Sequence, residues 1–120
     1  MSVLTEQELH NLAMNHVGKD LEQRGFEFLA INSKLKSNPQ FVCVNVKNEK
    51  HFVIIRAVEY PNHPDDYDVI WMETFKAHAQ KHQARIMYAG VGIANANNPE
   101  LPVDSETDFL INYHGLQKIL

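Results

Sequence analysis

The sequence predicts an α/β domain of the α+β kind: a mixed sheet flanked by helices, in the order α-β-β-β-α-β-β. Three observations carry that reading. Two stretches with helical apolar spacing, near residues 6–24 and 67–83, stand far apart in the chain. Between them lie three runs rich in β-branched and aromatic residues, separated by short polar breaks. Shorter apolar runs after the second helix supply the returning strands.

The first helix opens on Thr5-Glu6-Gln7-Glu8, the spacing of a capping box, with Leu4 and Leu9 placed for a hydrophobic staple. Leu9, Leu12, Ala13, His16, Val17 and Leu21 follow at helical spacing, and Gly25 after Arg24 is a left-handed stop. His16 falls on or beside the apolar stripe, as a core-edge histidine. Phe26–Ile31 reads as a strand, and Ser37-Asn38-Pro39 as a turn. Phe41–Val58 then reads as a hairpin of two central strands, with Asn45 and Arg56 as polar exceptions in an apolar run. The segment 59–66 carries two prolines and reads as a loop; Asp65 or Asp66 caps a second helix over about 67–83. Its apolar face is Val69, Met72, Phe75, Ala79 and His82, with Trp71 beside it. Arg85–Ala89 is a strand that Gly90 and Gly92 end or bend. After a polar loop, Asp108–Tyr113 is a last strand and 115–120 a short tail. The first three strands should form an antiparallel meander, and the crossover through the second helix should lay the next strand parallel to one of them.

With 120 residues, 44% of them hydrophobic and 22% charged, the chain reads as one domain over 1–120 with a real core. One cysteine, Cys43, excludes an internal disulfide, a zinc finger and a cysteine-ligated iron–sulfur cluster within the chain. No apolar run reaches the ~18 residues of a membrane span, and no signal peptide is visible. The expectation is a soluble cytoplasmic protein with no membrane partner and no cofactor.

The element order over about residues 5–92 resembles the restriction-endonuclease-like (PD-(D/E)xK) nuclease core. In that family an Asp near the second strand and an acid-x-Lys on the third hold a divalent metal and activate water. Here Pro39-Gln40-Phe41 and Ile54-Ile55-Arg56 occupy those stretches. Gln40 stands for the Asp, Ile54 for the acid and Arg56 for the Lys. Without the carboxylates a magnesium ion has no anionic oxygen to bind. The resemblance therefore implies a non-catalytic member, with no catalytic residues and an unidentified protein partner. The alternative is a metal-dependent nuclease or phosphoesterase drawing relocated carboxylates from Glu59, Asp65 and Asp66. The stretches Leu4–His10 and Ala89–Gly92 also look like short bacterial proteins that carry the name of the ferredoxin-and-flavoprotein component of sodium-translocating NADH-quinone reductase. That resemblance implies a soluble accessory protein of the reductase, since one cysteine and 120 residues cannot house a ferredoxin cluster and a flavin domain.

Other constellations are incomplete. His78 and His82 sit one helical turn apart, which is metal-ligand spacing, but Ala79 stands where a metalloprotease needs Glu. Third ligands could come from His63, Asp65 or His114, yet nothing in the sequence fixes them nearby; two surface histidines are the plainer reading. Gly90 and Gly92 follow a strand, as in a dinucleotide-binding loop, but loop residues follow instead of a helix, so close backbone packing explains them more simply. Cys43 in an apolar strand reads as an inert core residue rather than a nucleophile. Asp65, Asp66 and Asp68 read as a capped helix start rather than a metal site. Five basic residues (Lys34, Lys36, Lys47, Lys50, Arg56) and one acid, Glu49, make 34–56 locally positive in a chain of net charge -4. The lysines fall on two turns, so they form two small patches, enough at most for weak nucleic-acid binding. The apolar tail Leu116–Leu120 and a last strand near a sheet edge predict weak homodimerisation.

Overall fold

The structure, a computed structural model, describes residues 2–120. Helix α1 spans Glu6–Gln23 and α2 Val69–Lys81; the strands are β1 Glu27–Ile31, β2 Phe41–Val44, β3 Lys50–Glu59, β4 Arg85–Asn95, β5 Phe109–Tyr113 and β6 Gln117–Lys118. The six strands form one mixed sheet in the order β1-β2-β3-β4-β5, with β6 also on β4. The meander β1-β2-β3 is antiparallel, β4 runs parallel to β3, and β5 and β6 run antiparallel to β4. The fold is α+β, and the helices lie on opposite faces of the sheet. On one face α1 buries Leu9, Ala13, Val17 and Leu21 against Val53, Ile55, Met87, Ala89 and Val91. On the other, Met72 and Ala79 of α2 pack on Phe52, Ile54, Ile86 and Tyr88. Successive residues of β3 and β4 thus serve the two cores alternately, which is why both strands are apolar without alternation.

The local chemistry of α1 is as its sequence implies. The Thr5 hydroxyl accepts from the Glu8 N–H at 3.1 Å, the Glu8 carboxylate accepts from the Thr5 N–H at 3.0 Å, and Gly25 follows the helix at φ 87°. His16, however, is exposed, its ring edge-on to Tyr113 with centroids 5.1 Å apart. The stripe's buried histidine is His10.

Elsewhere the boundaries move for identifiable reasons. β2 ends at Val44 because the Asn45 side chain leaves the ladder: its Oδ1 accepts from the N–H groups of Lys47 and Glu49 at 3.0 and 2.9 Å. Asn45 is therefore the organiser of a turn and not a polar residue inside a strand, and Val46 at its tip is 89% exposed. α2 begins later than its apolar spacing suggests, because the cap is Asp68, whose Oδ1 accepts from the N–H groups of Ile70 and Trp71 at 2.8 and 3.1 Å. Val69 consequently faces solvent and takes no part in the apolar face.

Gly90 and Gly92 neither end nor bend β4, which continues to Asn95. They admit the loop 60–68, which lies across the strand. A Cβ on Gly90 would stand 1.9 Å from the Pro64 carbonyl oxygen, and one on Gly92 would meet Asn112 at 3.2 Å and Pro64 at 3.6 Å. Pro64 is fully buried, and its carbonyl accepts from the Tyr88 hydroxyl at 2.7 Å. Burial pushes that phenol up to about 12.

The tail carries a strand of its own. β5 pairs Val91 with Tyr113, and β6 pairs Tyr88 with Gln117. Four steps along the tail therefore answer three along β4, so residues 114–116 form a one-residue bulge, with Gly115 at φ 96°. Leu116 and Ile119 join the two cores, and of the tail's apolar residues only Leu120 is exposed.

The contact at Gly90 generates a paired prediction. Gly90→Ala forces a methyl into backbone and should lower unfolding stability by about 3 kcal/mol or more. Gly18→Ala, whose Cβ meets only Phe41 at 3.4 Å inside α1, should be neutral or stabilising by up to ~1 kcal/mol. Urea unfolding of both variants checks this; a Gly90→Ala protein as stable as the parent would refute the close approach.

Candidate functional site

Three parts of the chain meet at one end of β3. The first turn of α1 brings Glu6, Leu9 and His10; the turn before β2 brings Leu35, Lys36, Asn38 and Gln40; β3 and its exit bring Arg56, Glu59 and Asn62, with Trp71 on the rim. They enclose an open groove of about 710 Å³. Of the three positions that the sequence resemblance sets against the nuclease motif, Gln40 and Arg56 line it and Ile54 does not.

Gln40 is 1% exposed and fully committed. Its Oε1 accepts from the Ile55 N–H at 2.6 Å, and its Nε2 donates to Asn38 Oδ1 at 2.6 Å and to the Ser37 carbonyl at 3.1 Å. The amide thus fastens the β1–β2 turn to β3, using a donor that a carboxylate lacks. Ile54 points away, into the core under α2. Arg56 is exposed, and its guanidinium donates to the Asp66 carbonyl, holding the loop 60–68. The groove keeps a mixed polarity: Glu6 and Glu59 against Lys36 and Arg56.

His10 is the unexpected member. It is 3% exposed, and its Nε2 is buried with no hydrogen-bond partner among the described residues. Burial holds its imidazole below the ordinary histidine range. The sequence signal was available in the helical spacing of residues 9, 13, 14, 17 and 21, which leaves position 10 on the same side.

The remaining candidates fall elsewhere. His78 and His82 are exposed, with ring centroids 4.6 Å apart and resting on Phe52 at 5.6 and 6.0 Å. Among the described residues, the three metal-ligating side chains that converge are His63, Asp65 and His114; neither helix histidine joins them, and neither do Glu59 or Asp66. Cys43 is fully buried and burial pushes its thiol up to about 11, so it stays protonated and unreactive near neutrality. The lysine turns lie at opposite ends of β2: Lys34 and Lys36 before it, Lys47 after it. Among the described residues, no helix is long and apolar enough to cross a membrane.

His10 yields a pH prediction. A depressed folded pKa means that the unfolded chain binds more protons. The stabilisation by neutral His10 is complete above the unfolded pKa of about 6.5 and is lost as pH falls below it. The parent should therefore lose stability between pH 7 and 5 faster than His10→Leu, as read from denaturant midpoints. Parallel curves for the two proteins would count against a buried neutral imidazole.

No curated protein and no solved structure matches the chain. A family model does, over residues 7–119, from the middle of the first turn of α1 to the penultimate residue, so that both helices, all six strands and most of the groove fall within it. On that match the chain belongs to the family described as a domain of unknown function, DUF8840.

Proposed function

We propose that this protein is a non-catalytic binding protein on a degenerate restriction-endonuclease-like fold, with the groove at the end of β3 as its ligand surface. The fold part of the reading is supported by the antiparallel meander, the crossover through α2 and the parallel return of β4 on β3. The single observation that carries the functional part is Gln40. The position aligned with the metal-binding Asp holds a buried amide whose every tie is internal. Its neighbour in the motif, Ile54, is core. A groove without metal ligands yet still open, with a buried imidazole and with two acidic and two basic side chains on its walls, suits recognition of a mixed-charge polypeptide segment better than hydrolysis of a phosphodiester.

Binding of nucleic acid, on this reading, is weak and salt-sensitive, because two pairs of lysines at opposite ends of β2 neutralise few phosphates. A weak homodimer through a sheet edge is supported by apolar residues on both edge strands: Leu29 and Ile31 on β1 are 58% and 62% exposed, and Leu110 on β5 56%. A cytoplasmic protein remains part of the same proposal.

Two experiments test the reading. With magnesium or manganese, single- and double-stranded DNA and RNA should remain uncut; metal-dependent turnover that disappears in Glu59→Ala would replace it with the relocated-carboxylate enzyme. Affinity capture from source cells should retain a protein partner that Arg56→Glu or Trp71→Ala loses.

Gln40→Glu should destabilise the fold by roughly 1–3 kcal/mol, since the new oxygen faces the Ser37 carbonyl and Asn38 Oδ1 without a proton to donate. Thermal unfolding near neutral pH reads this directly. A neutral effect would mean that position 40 still accommodates an acid, and with it the ancestral chemistry.

A further inference from the structure

Outside the groove, the loop 60–68 and the bulge of the tail bring His63, Asp65 and His114 together, with one ligand atom from each lying within 4.8 Å of the others. Each is held there by backbone that cannot easily move. His63 and Asp65 flank Pro64, which is buried against Gly90 and tied to the Tyr88 hydroxyl. Arg56 holds the next carbonyl but one along, that of Asp66. His114 occupies the bulge between β5 and β6, whose ladders with β4 fix it on both sides. Rigid placement of donor atoms by neighbouring structure is what separates a site from a chance meeting of surface side chains.

The donors are also arranged for one centre. His114 Nδ1 stands 2.6 Å from Asp65 Oδ2, Gln117 Nε2 donates to Asp65 Oδ1 at 2.8 Å, and the His63 and His114 rings lie with centroids 5.9 Å apart. We infer that His63, Asp65 and His114 form a binding site for one divalent transition-metal ion of the zinc type. The ion takes the place of the proton between His114 and Asp65. Ligand bonds of about 2.0 Å at tetrahedral angles need that pair to open to about 3.3 Å. The long 3.2 Å bond from the Asp65 N–H to His63 Nδ1 is the weakest tie that His63 would give up. Gln117 keeps the other carboxylate oxygen, orienting Asp65 from behind as outer-shell groups do. Two imidazoles and one carboxylate favour zinc, cobalt, nickel or iron(II) over magnesium or calcium. His63 and His114 are exposed, so a fourth position is open to water or to a ligand atom of a partner. The site is separate from the groove and shares only Asp65 with the relocated-carboxylate alternative, so metal binding here and ligand binding in the groove are read independently.

Isothermal titration of the intact protein with Zn²⁺ alone tests the site. One ion per chain is expected, with affinity at least tenfold weaker in His63→Ala, in His114→Ala and in Asp65→Asn. His78→Ala/His82→Ala should bind as the parent does, and millimolar Mg²⁺ should not compete. Co²⁺ should give a visible d–d spectrum that His114→Ala abolishes. Both imidazoles are exposed, so the histidine variants keep the fold, and their melting points without metal verify it. Absence of binding to the parent, unchanged affinity in His63→Ala/His114→Ala, or loss of binding only in His78→Ala/His82→Ala would each overturn the assignment.

Discussion

The parallel pairing of β3 with β4 runs nine residues, from His51 opposite Arg85 to Glu59 opposite Ile93. Everything else is arranged to keep that ladder dry. A parallel pair cannot be closed by a tight turn, so its connection must travel over one face, and α2 does so. The other face then needs its own cover, which α1 supplies through a stripe of small and branched residues. The outer strands shield the ladder's edges, and water is excluded from backbone groups that would cost dearly to leave unpaired in a core.

This constraint explains where polar chemistry appears. Along β3 the run His51–Ile55 is buried without interruption, Arg56 is the first exposed side chain, and Val58 is buried again. The groove is lined by residues from Ile55 to Glu59, and the triad of His63, Asp65 and His114 lies on the loop 60–68 and the bulge of the tail, level with Arg56 and its partner Gly90. Ligand sites in open sheets with parallel strands gather at strand ends for the same reason: only there does a side chain leave the core while its backbone stays fixed by the ladder. The loop 60–68 is unusual in being almost as firmly held as the strands, through Gly90, Tyr88 and Arg56.

The architecture was largely legible in the sequence, because it rests on periodicity. Helical spacing of Leu9, Ala13, Val17 and Leu21, the Thr5 capping box and the unbroken apolar runs of β3 and β4 are local patterns with one physical meaning each. The errors share a different origin. Asn45, Asp68 and Gly90 each act through one contact whose partner could not be named from local pattern: a turn backbone, the correct helix end, a proline 26 residues earlier in the chain. The site was half legible. His63, Asp65 and His114 stood out as possible ligands by residue type, but only tertiary structure parts them from His78 and His82. His10 was hidden behind its more central neighbours on the stripe, and His16, one helical step too far round, drew attention that belonged to it.

The extra residue at 114–116 has a consequence for how the tail is read by the two cores. Along β5 the odd-numbered positions, Ile111 and Tyr113, face α1; beyond the bulge the phase inverts, so that even-numbered Leu116 faces α1 and odd-numbered Ile119 faces α2. Side-chain alternation in a strand has a period of two, and one added residue exchanges the faces. The bulge therefore works as a phase shifter: it absorbs one extra residue of the tail while Leu116 and Ile119 stay on the faces that their partners on β4 set. The loop 96–107 is tied in as well, since Val103 is buried in the core under α1 and its carbonyl accepts from the Leu4 N–H at 2.9 Å. A single deletion between Tyr113 and Gln117 would restore three steps for three against β4, so that Ile119 keeps its core while the bulge that carries His114 to Asp65 is lost.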